Sequence, residues 1–280
     1  MILEGAIGDT YGAGFEFADI EMIKLKNNLT QFEVHPLFSS IHKKYTDDTQ
    51  MTLGIAELLI EGTEWTKLSI ANKFVDVFKR DPREGYAKRF YSLLCEINSG
   101  QDLIDKIIPD SERNGSAMRV YPIGILKNEN EILEKAKLQS QITHNTENAI
   151  VSAQAVALTT HFFLYNKGLK SQLLDYLYDI QKINWSADWQ GEVGVNAIQT
   201  VQALFTILIK ENWLKDMLKK SVDLGGDVDT VASLALAIGC LDRNIENNLP
   251  NWLYFEIENG KYGKDYIKNI DSELLKLINK

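Results

Sequence analysis

Residues 45–50 read Tyr-Thr-Asp-Asp-Thr-Gln, and residues 225–230 read Gly-Gly-Asp-Val-Asp-Thr. Each stretch crowds two carboxylates beside threonine hydroxyls, with no basic residue inside it to offset the repulsion. Asp47 and Asp48 open one helical run, and Asp227, Asp229 and Thr230 open another. Carboxylates in a first turn are favoured by the free N–H groups and by the helix dipole, so capping alone accounts for either cluster. Two clusters of the same content and placement, far apart in the chain, point further. Carboxylate, hydroxyl and water oxygens suit Mg²⁺, Mn²⁺ or Ca²⁺, and the chain offers no Cys/His set for zinc. Cations between the two helix starts would offset the repulsion among Asp47, Asp48, Asp227 and Asp229. A pair of them, about 4 Å apart, would clamp a diol or a bridging water. Asp227 and Asp229, two positions apart, do not share a helix face, so a turn at the helix start must bring them together.

Three further stretches offer polar groups. Residues 5–17, GAIGDTYGAGFEF, space Gly5, Gly8, Gly12 and Gly14 for close approach of a neighbouring helix or ligand. The stretch lacks the Gly-Lys-Ser/Thr ending of a phosphate loop, and Glu16 beyond it is a candidate acid or base on a mobile segment. Residues 114–124, NGSAMRVYPIG, present backbone N–H groups and the Ser116 hydroxyl at a helix start, a natural place for an anion. Residues 143–149, THNTENA, set His144 and Asn145 before a helix, although a lone histidine is more often structural than catalytic. His35, His42 and His161 carry no pattern, and packing is the expected use of Trp185 and Trp189.

The elements that must position these groups are helices. Apolar residues recur at helical spacing over 49–62, ending at Gly62, and over 66–80, stopping before Pro82. Further helices are expected over 83–98, 116–126, 129–142, 146–166, 171–182, 194–210, 211–222, 228–241 and 265–278. The segment 148–164 is apolar on most faces and belongs mid-bundle. Only 28–39 shows any strand-like alternation, and an irregular excursion is expected there. With no repeat, low-complexity tract or Gly/Ser linker, the expectation is one compact all-α domain over 1–280, an orthogonal multi-helix bundle.

Composition narrows the function classes. The net charge of −9 argues against non-specific nucleic-acid binding, which depends on neutralising phosphates. Two cysteines are too few for a disulfide scaffold and fit a reducing cytoplasm. The start, MILEGAIGDTYGAG, has no basic n-region and does not read as a signal peptide. No apolar run reaches the roughly 20 residues a membrane span needs.

Taken in order, GAIGDTYGAGFEF, YTDDTQMTL, NGSAMRVYPIG, THNTENA and GGDVDTVASLALAIG resemble the ADP-ribosylglycohydrolase family, which includes ADP-ribosyl-acceptor hydrolases and dinitrogenase-reductase-activating glycohydrolases. The matching pieces make up under a fifth of the chain but run from residue 5 to residue 239. The resemblance implies an all-α fold and two Mg²⁺ ions, with Mn²⁺ an alternative. It places Thr46, Asp47, Asp48, Asp227, Asp229 and Thr230 at the metals, and Glu16 near the scissile bond. Asn114, Gly115, Ser116 and Met118 would lie on the diphosphate side, and His144 near the ADP-ribose. The implied catalytic residues are Glu16, Asp47, Asp48 and Asp229, acting on an ADP-ribosylated protein and releasing ADP-ribose. Leu236 departs from the small residue that relatives often carry in the last motif. The competing readings are a family member without catalysis, used as a binding or structural protein, and a metal-dependent prenyl-diphosphate enzyme. The latter fits poorly, because DDTQM lacks the third acidic residue of such motifs.

Overall fold

Helices supply all the regular structure. The computed structural model describes residues 1–278 and shows, among them, fifteen α-helices, three short 3-10 turns and no β-strand. In chain order the first eight are α1 (Ile2–Ala13), α2 (Ile20–Lys26), α3 (Asp47–Glu61), α4 (Lys67–Arg80), α5 (Lys88–Glu96), α6 (Gly100–Lys106), α7 (Gly115–Met118) and α8 (Glu129–Ser140). There follow α9 (Glu147–Leu164), α10 (Leu173–Gln181), α11 (Ala197–Lys210), α12 (Leu214–Asp223), α13 (Val228–Gly239), α14 (Asn251–Glu256) and α15 (Lys264–Ile278).

Local chemistry sets many of these ends. Thr46 caps α3 by accepting the Asp48 N–H, and Gly62, in the left-handed conformation at φ 64°, closes it. Thr66 and Ser69 form a capping box at the start of α4, which ends at Asp81, just before Pro82. α13 is buried along its whole length, and α9 through most of its own, as its nearly continuous apolar sequence requires.

The centre of the bundle is the pair α1 and α13, the most extensive helix contact in the molecule. Glycines permit it. A Cβ on Gly8 would lie 2.3 Å from the Ala232 carbonyl oxygen, and one on Gly12 would lie 2.4 Å from Asp229 Cα. The glycine spacing of residues 5–14 is therefore a packing device, and it brings the backbone of α1 against the helix that carries Asp229. Leu236 is fully buried on α13, behind that helix start.

The departures from sequence periodicity have plain causes. The run 83–98 is helical only from Lys88, because Gly85 sits at φ +107°, outside helical geometry. The run 116–126 breaks into α7 and a 3-10 turn, Tyr121–Ile125, with Pro122 in its first turn and no N–H to continue the ladder. Helices α2, α6 and α14, with 7, 7 and 6 residues, are too short to show a period. Residues 28–39 form the expected irregular excursion, ending in the turn Ser39–Ile41.

Candidate active site

The two acidic helix starts meet. Asp47 and Asp48 from α3, with Asp227, Asp229 and Thr230 from the start of α13, line one cleft of about 770 Å³ that also takes in Glu16. Carboxylate oxygens of Glu16, Asp227 and Asp229 lie within 4.8 Å of one another. Asp48 and Thr230 line the same cleft, so residues of both motifs share one site. Asp48 Oδ1 and Asp229 Oδ1 are both buried, and neither has a hydrogen-bond partner. A buried anionic oxygen left unpaired costs several kcal/mol or more, so both positions ask for a cation.

Each start is held by a different device. Under the first lies Asp9 of α1, fully buried. It accepts the Thr46 N–H at 3.0 and 3.1 Å and the Thr46 hydroxyl at 2.8 Å. It also accepts the Thr49 N–H at 3.1 Å and the Thr49 hydroxyl at 2.6 Å. The second start hangs on main chain. Gly225 and Gly226 adopt φ +77° and +85°, and the Asp227 N–H donates to the Val193 carbonyl at 2.8 Å. A Cβ on Gly226 would lie 2.1 Å from that same carbonyl oxygen. The Asn114 amide donates to Asp227 Oδ2 at 2.5 Å and to Thr200 at 3.0 Å, which fixes the carboxylate's rotation.

Crowding without counter-charge pushes the aspartates of the cluster toward their neutral forms. Burial, then the charges of Asp9 and Glu16, raises Asp47 well above the ordinary carboxylate range. Burial is also the first cause at Asp48 and Asp229, with the neighbouring carboxylates next. Asp227 and Asp9 rise to about 6, again chiefly by burial. A divalent ion reverses this balance, because its own charge is the largest in the site. The oxygen-only donor set, the unpaired oxygens and the mutual repulsion together fit hard divalent cations.

Two of the expected ligand and substrate residues point elsewhere. Thr46 is buried outside the cleft wall, with its hydroxyl committed to Asp9. The Ser116 hydroxyl is turned to the Ala149 carbonyl at 3.3 Å, while Asn114, Gly115, Met118 and His144 do line the cleft. Glu16 is in place, and its partner is a residue with no sequence pattern. His35 Nε2 lies 2.6 Å from Glu16 Oε2, and His35 Nδ1 accepts the N–H groups of Leu37 and Phe38, so Nε2 carries the proton that Glu16 receives. The Phe17 N–H donates to the Gly226 carbonyl at 2.9 Å and ties the Glu16 loop to the second acidic turn. Trp185 stacks edge-on against Phe205 and Trp189 packs against the core; neither lines the cleft.

Asp9 and His35 are the residues that sequence reasoning missed. A signal for Asp9 existed, since it is the one charge between Gly5 and Phe15, in a stretch otherwise mostly of glycine and apolar residues. The match to a family model decides the kinship: the ADP-ribosylglycohydrolase model covers residues 1–278. The chain belongs to the ADP-ribosylglycohydrolase family. Its similarity to individual relatives is distant. It is 27% identical to ADP-ribosylhydrolase ARH3 of Xenopus tropicalis over 65% of this chain and 54% of that protein. The chain thus spans about half the length of that relative and of its chicken counterpart. Identity to the human ARH3 is 24%, over 89% of this chain and 86% of the relative. The ADP-ribosyl-[dinitrogen reductase] glycohydrolase of Rhodospirillum rubrum is 22% identical over 89% and 86%. A solved structure titled as an ADP-ribosylglycohydrolase-related protein complex superposes with a TM-score of 0.73, covering 99% of this chain and 96% of that one at 18% identity, which supports the shared fold. No helix among the described residues is long and apolar enough to cross a membrane.

Proposed function

We propose that the protein is a hydrolase that removes ADP-ribose from a modified protein side chain, with arginine as the acceptor and two divalent cations, Mg²⁺ or Mn²⁺, as cofactors. The observation that carries this reading is the pair of unpaired, buried oxygens, Asp48 Oδ1 and Asp229 Oδ1, on the two acidic helix starts that share one cleft. Asp47, Asp48, Asp227, Asp229 and Thr230 would hold the cations, while the Thr46 hydroxyl accepts the Asp48 N–H and donates to Asp9. Cations held there would supply Lewis-acid chemistry, polarising hydroxyl oxygens and lowering the pKa of water toward neutrality.

The chain's own residues do the rest. Asn114 fixes the rotation of the Asp227 carboxylate by donating to its Oδ2. Besides Asn114, the residues Gly115, Met118 and His144 line the same cleft, where a diphosphate would lie. In hydrolysis the water oxygen bonds to the anomeric carbon, the bond to the acceptor nitrogen breaks, and a proton passes to the leaving guanidine through an oxocarbenium-like transition state. Glu16, hydrogen-bonded by His35 and 17% exposed at its side chain, stands at the cleft where it can take the proton from the water and pass it on. An acid-rich reaction centre also suits a cationic acceptor. Reversal of a regulatory modification and immunity to an ADP-ribosylating toxin are the two roles that such a reaction serves.

The deciding assay measures ADP-ribose released by the purified protein from arginine-, serine- and O-acetyl-linked substrates side by side, with Mg²⁺ and with EDTA. Release from the arginine substrate alone, abolished by EDTA, is the expected result. Binding of ADP-ribose with no release from any substrate would instead identify a non-catalytic binder.

A further inference from the structure

Beside His144 in the cleft wall runs a hydrogen-bonded chain that the proposed chemistry does not use. Arg119 is 1% exposed and has no carboxylate partner; its guanidinium stacks over the Phe74 ring at 4.3 Å. Its Nε donates to Gln139 Oε1 at 2.7 Å, and its second terminal nitrogen donates to the Gln139 carbonyl at 3.1 Å and to Thr143 Oγ1 at 2.9 Å. Thr143 Oγ1 in turn lies 2.6 Å from His144 Nδ1. Gln139 also donates its amide to the Ser116 carbonyl at 3.0 Å, so the relay is fixed to the 114–118 segment of the cleft wall.

The direction of the protons follows from donor counting. A guanidinium only donates, so Thr143 Oγ1 accepts from Arg119. The threonine has one proton of its own, and among the described residues His144 Nδ1 is the acceptor that its hydroxyl meets. Were Nδ1 protonated, the buried Thr143 hydroxyl would be left without an acceptor, a cost of about 1–3 kcal/mol. His144 Nδ1 is therefore the acceptor, and Nε2 carries the hydrogen. The backbone beneath the ring is fixed by the His144 N–H, which donates to the Ser140 carbonyl at 2.7 Å, and the missing Cβ of Gly115 leaves the room that the ring occupies.

We propose that Arg119 and Thr143 are positioning residues that hold His144 as a single neutral tautomer, its Nε2–H offered in the cleft as a hydrogen-bond donor to the ligand's acceptor oxygens. Burial, with Arg119 and Arg113 nearby, agrees by pushing the imidazole down to about 3, so that it stays uncharged at physiological pH. His144 then recognises oxygen by direction, and takes no part in proton transfer. The choice of ADP-ribose as that ligand rests on the function proposed above; the tautomer does not.

Histidine-labelled ¹⁵N protein separates the two. In the wild type at neutral pH, His144 should show an unprotonated Nδ1 and a protonated Nε2. Thr143→Val should mix the tautomers and weaken ADP-ribose binding, measured by calorimetry in Mg²⁺, by about fivefold, the worth of one hydrogen bond. Thr143→Ser keeps the oxygen and should restore both readouts, which a merely structural role would not require. A protonated Nδ1 in the wild type, or an unchanged tautomer in Thr143→Val, overturns the proposal. The expected tautomers in a protein that binds no ADP-ribose uphold the relay and overturn the ligand.

Discussion

The two acidic turns present the same residue types to the same cleft, yet they are built on opposite principles. The first is held by charge: Asp9, sunk in the core, collects four donor groups from Thr46 and Thr49. The second is held by shape, through two glycines at positive φ and a main-chain hydrogen bond to Val193. A charge clamp is sensitive to pH and to isosteric change, whereas a backbone turn is sensitive to a single added carbon. The contrast can be broken or sharpened by experiment.

The largest effect should come from the element the turns share. Asp229→Ala should lower activity by about 10³-fold, the equivalent of several kcal/mol of lost cation-mediated stabilisation, and weaken Mg²⁺ binding measured by calorimetry. An unchanged Mg²⁺ affinity would detach the second turn from the metals. Gly226→Ala should then cost about 3 kcal/mol or more in chemical unfolding, because it adds a clash with Val193 to a conformation already worth about 1–3 kcal/mol of strain for a non-glycine residue. That loss should be the same at pH 5 and pH 7. Asp9→Asn keeps the shape of the first turn but sets an amide N–H₂ against threonine donors. It should weaken cation binding by roughly 10–100-fold, as the loss of a group that orients a ligand does. Equal behaviour of the two variants would erase the distinction between the turns.

The acidic cluster as a whole carries a pH signature. Asp9 and Asp227 have folded-state values raised from 3.8 to about 6, and the other three aspartates shift in the same direction. For an acid raised on folding, the stabilising contribution is full below its unfolded value and is lost as pH rises through the folded one. Metal-free protein should therefore lose melting temperature between pH 4 and 7, and the gain on adding Mg²⁺ should widen over the same interval. A constant gain would argue that the cluster does not bind the ion. The smallest effect belongs to the part of the cleft formed by Gly115 and His144. Gly115→Ala places a Cβ about 3 Å from the His144 ring and should weaken ADP-ribose binding by about fivefold while leaving Mg²⁺ affinity unchanged.

Much of the site is written in local patterns, because carboxylates at a helix start carry their spacing in a few consecutive residues. Asp47, Asp48, Asp227 and Asp229 were readable for that reason, and so were the longer helices. Asp9 was not, since its role exists only through Thr46 and Thr49, which reach it across the fold. His35 is harder still: it sits in an irregular stretch, and only the folded chain brings it to Glu16. The Ser116 hydroxyl misled in the other direction, because a polar atom at a helix start can as readily turn inward to a carbonyl. The break after Met118 likewise needs Pro122 to be weighed against apolar spacing.

The tie from Phe17 to Gly226 has a consequence for traffic. Phe17 holds φ 50°, an uncomfortable angle for a large side chain, and its ring stands half exposed at the cleft. The loop bearing Glu16 is thus latched to the Gly225–Gly226 turn by a main-chain bond. Any displacement of that loop would relieve the Phe17 torsion and pull on the turn beneath Asp227, so the acid of the loop and the acids of the turn would shift together.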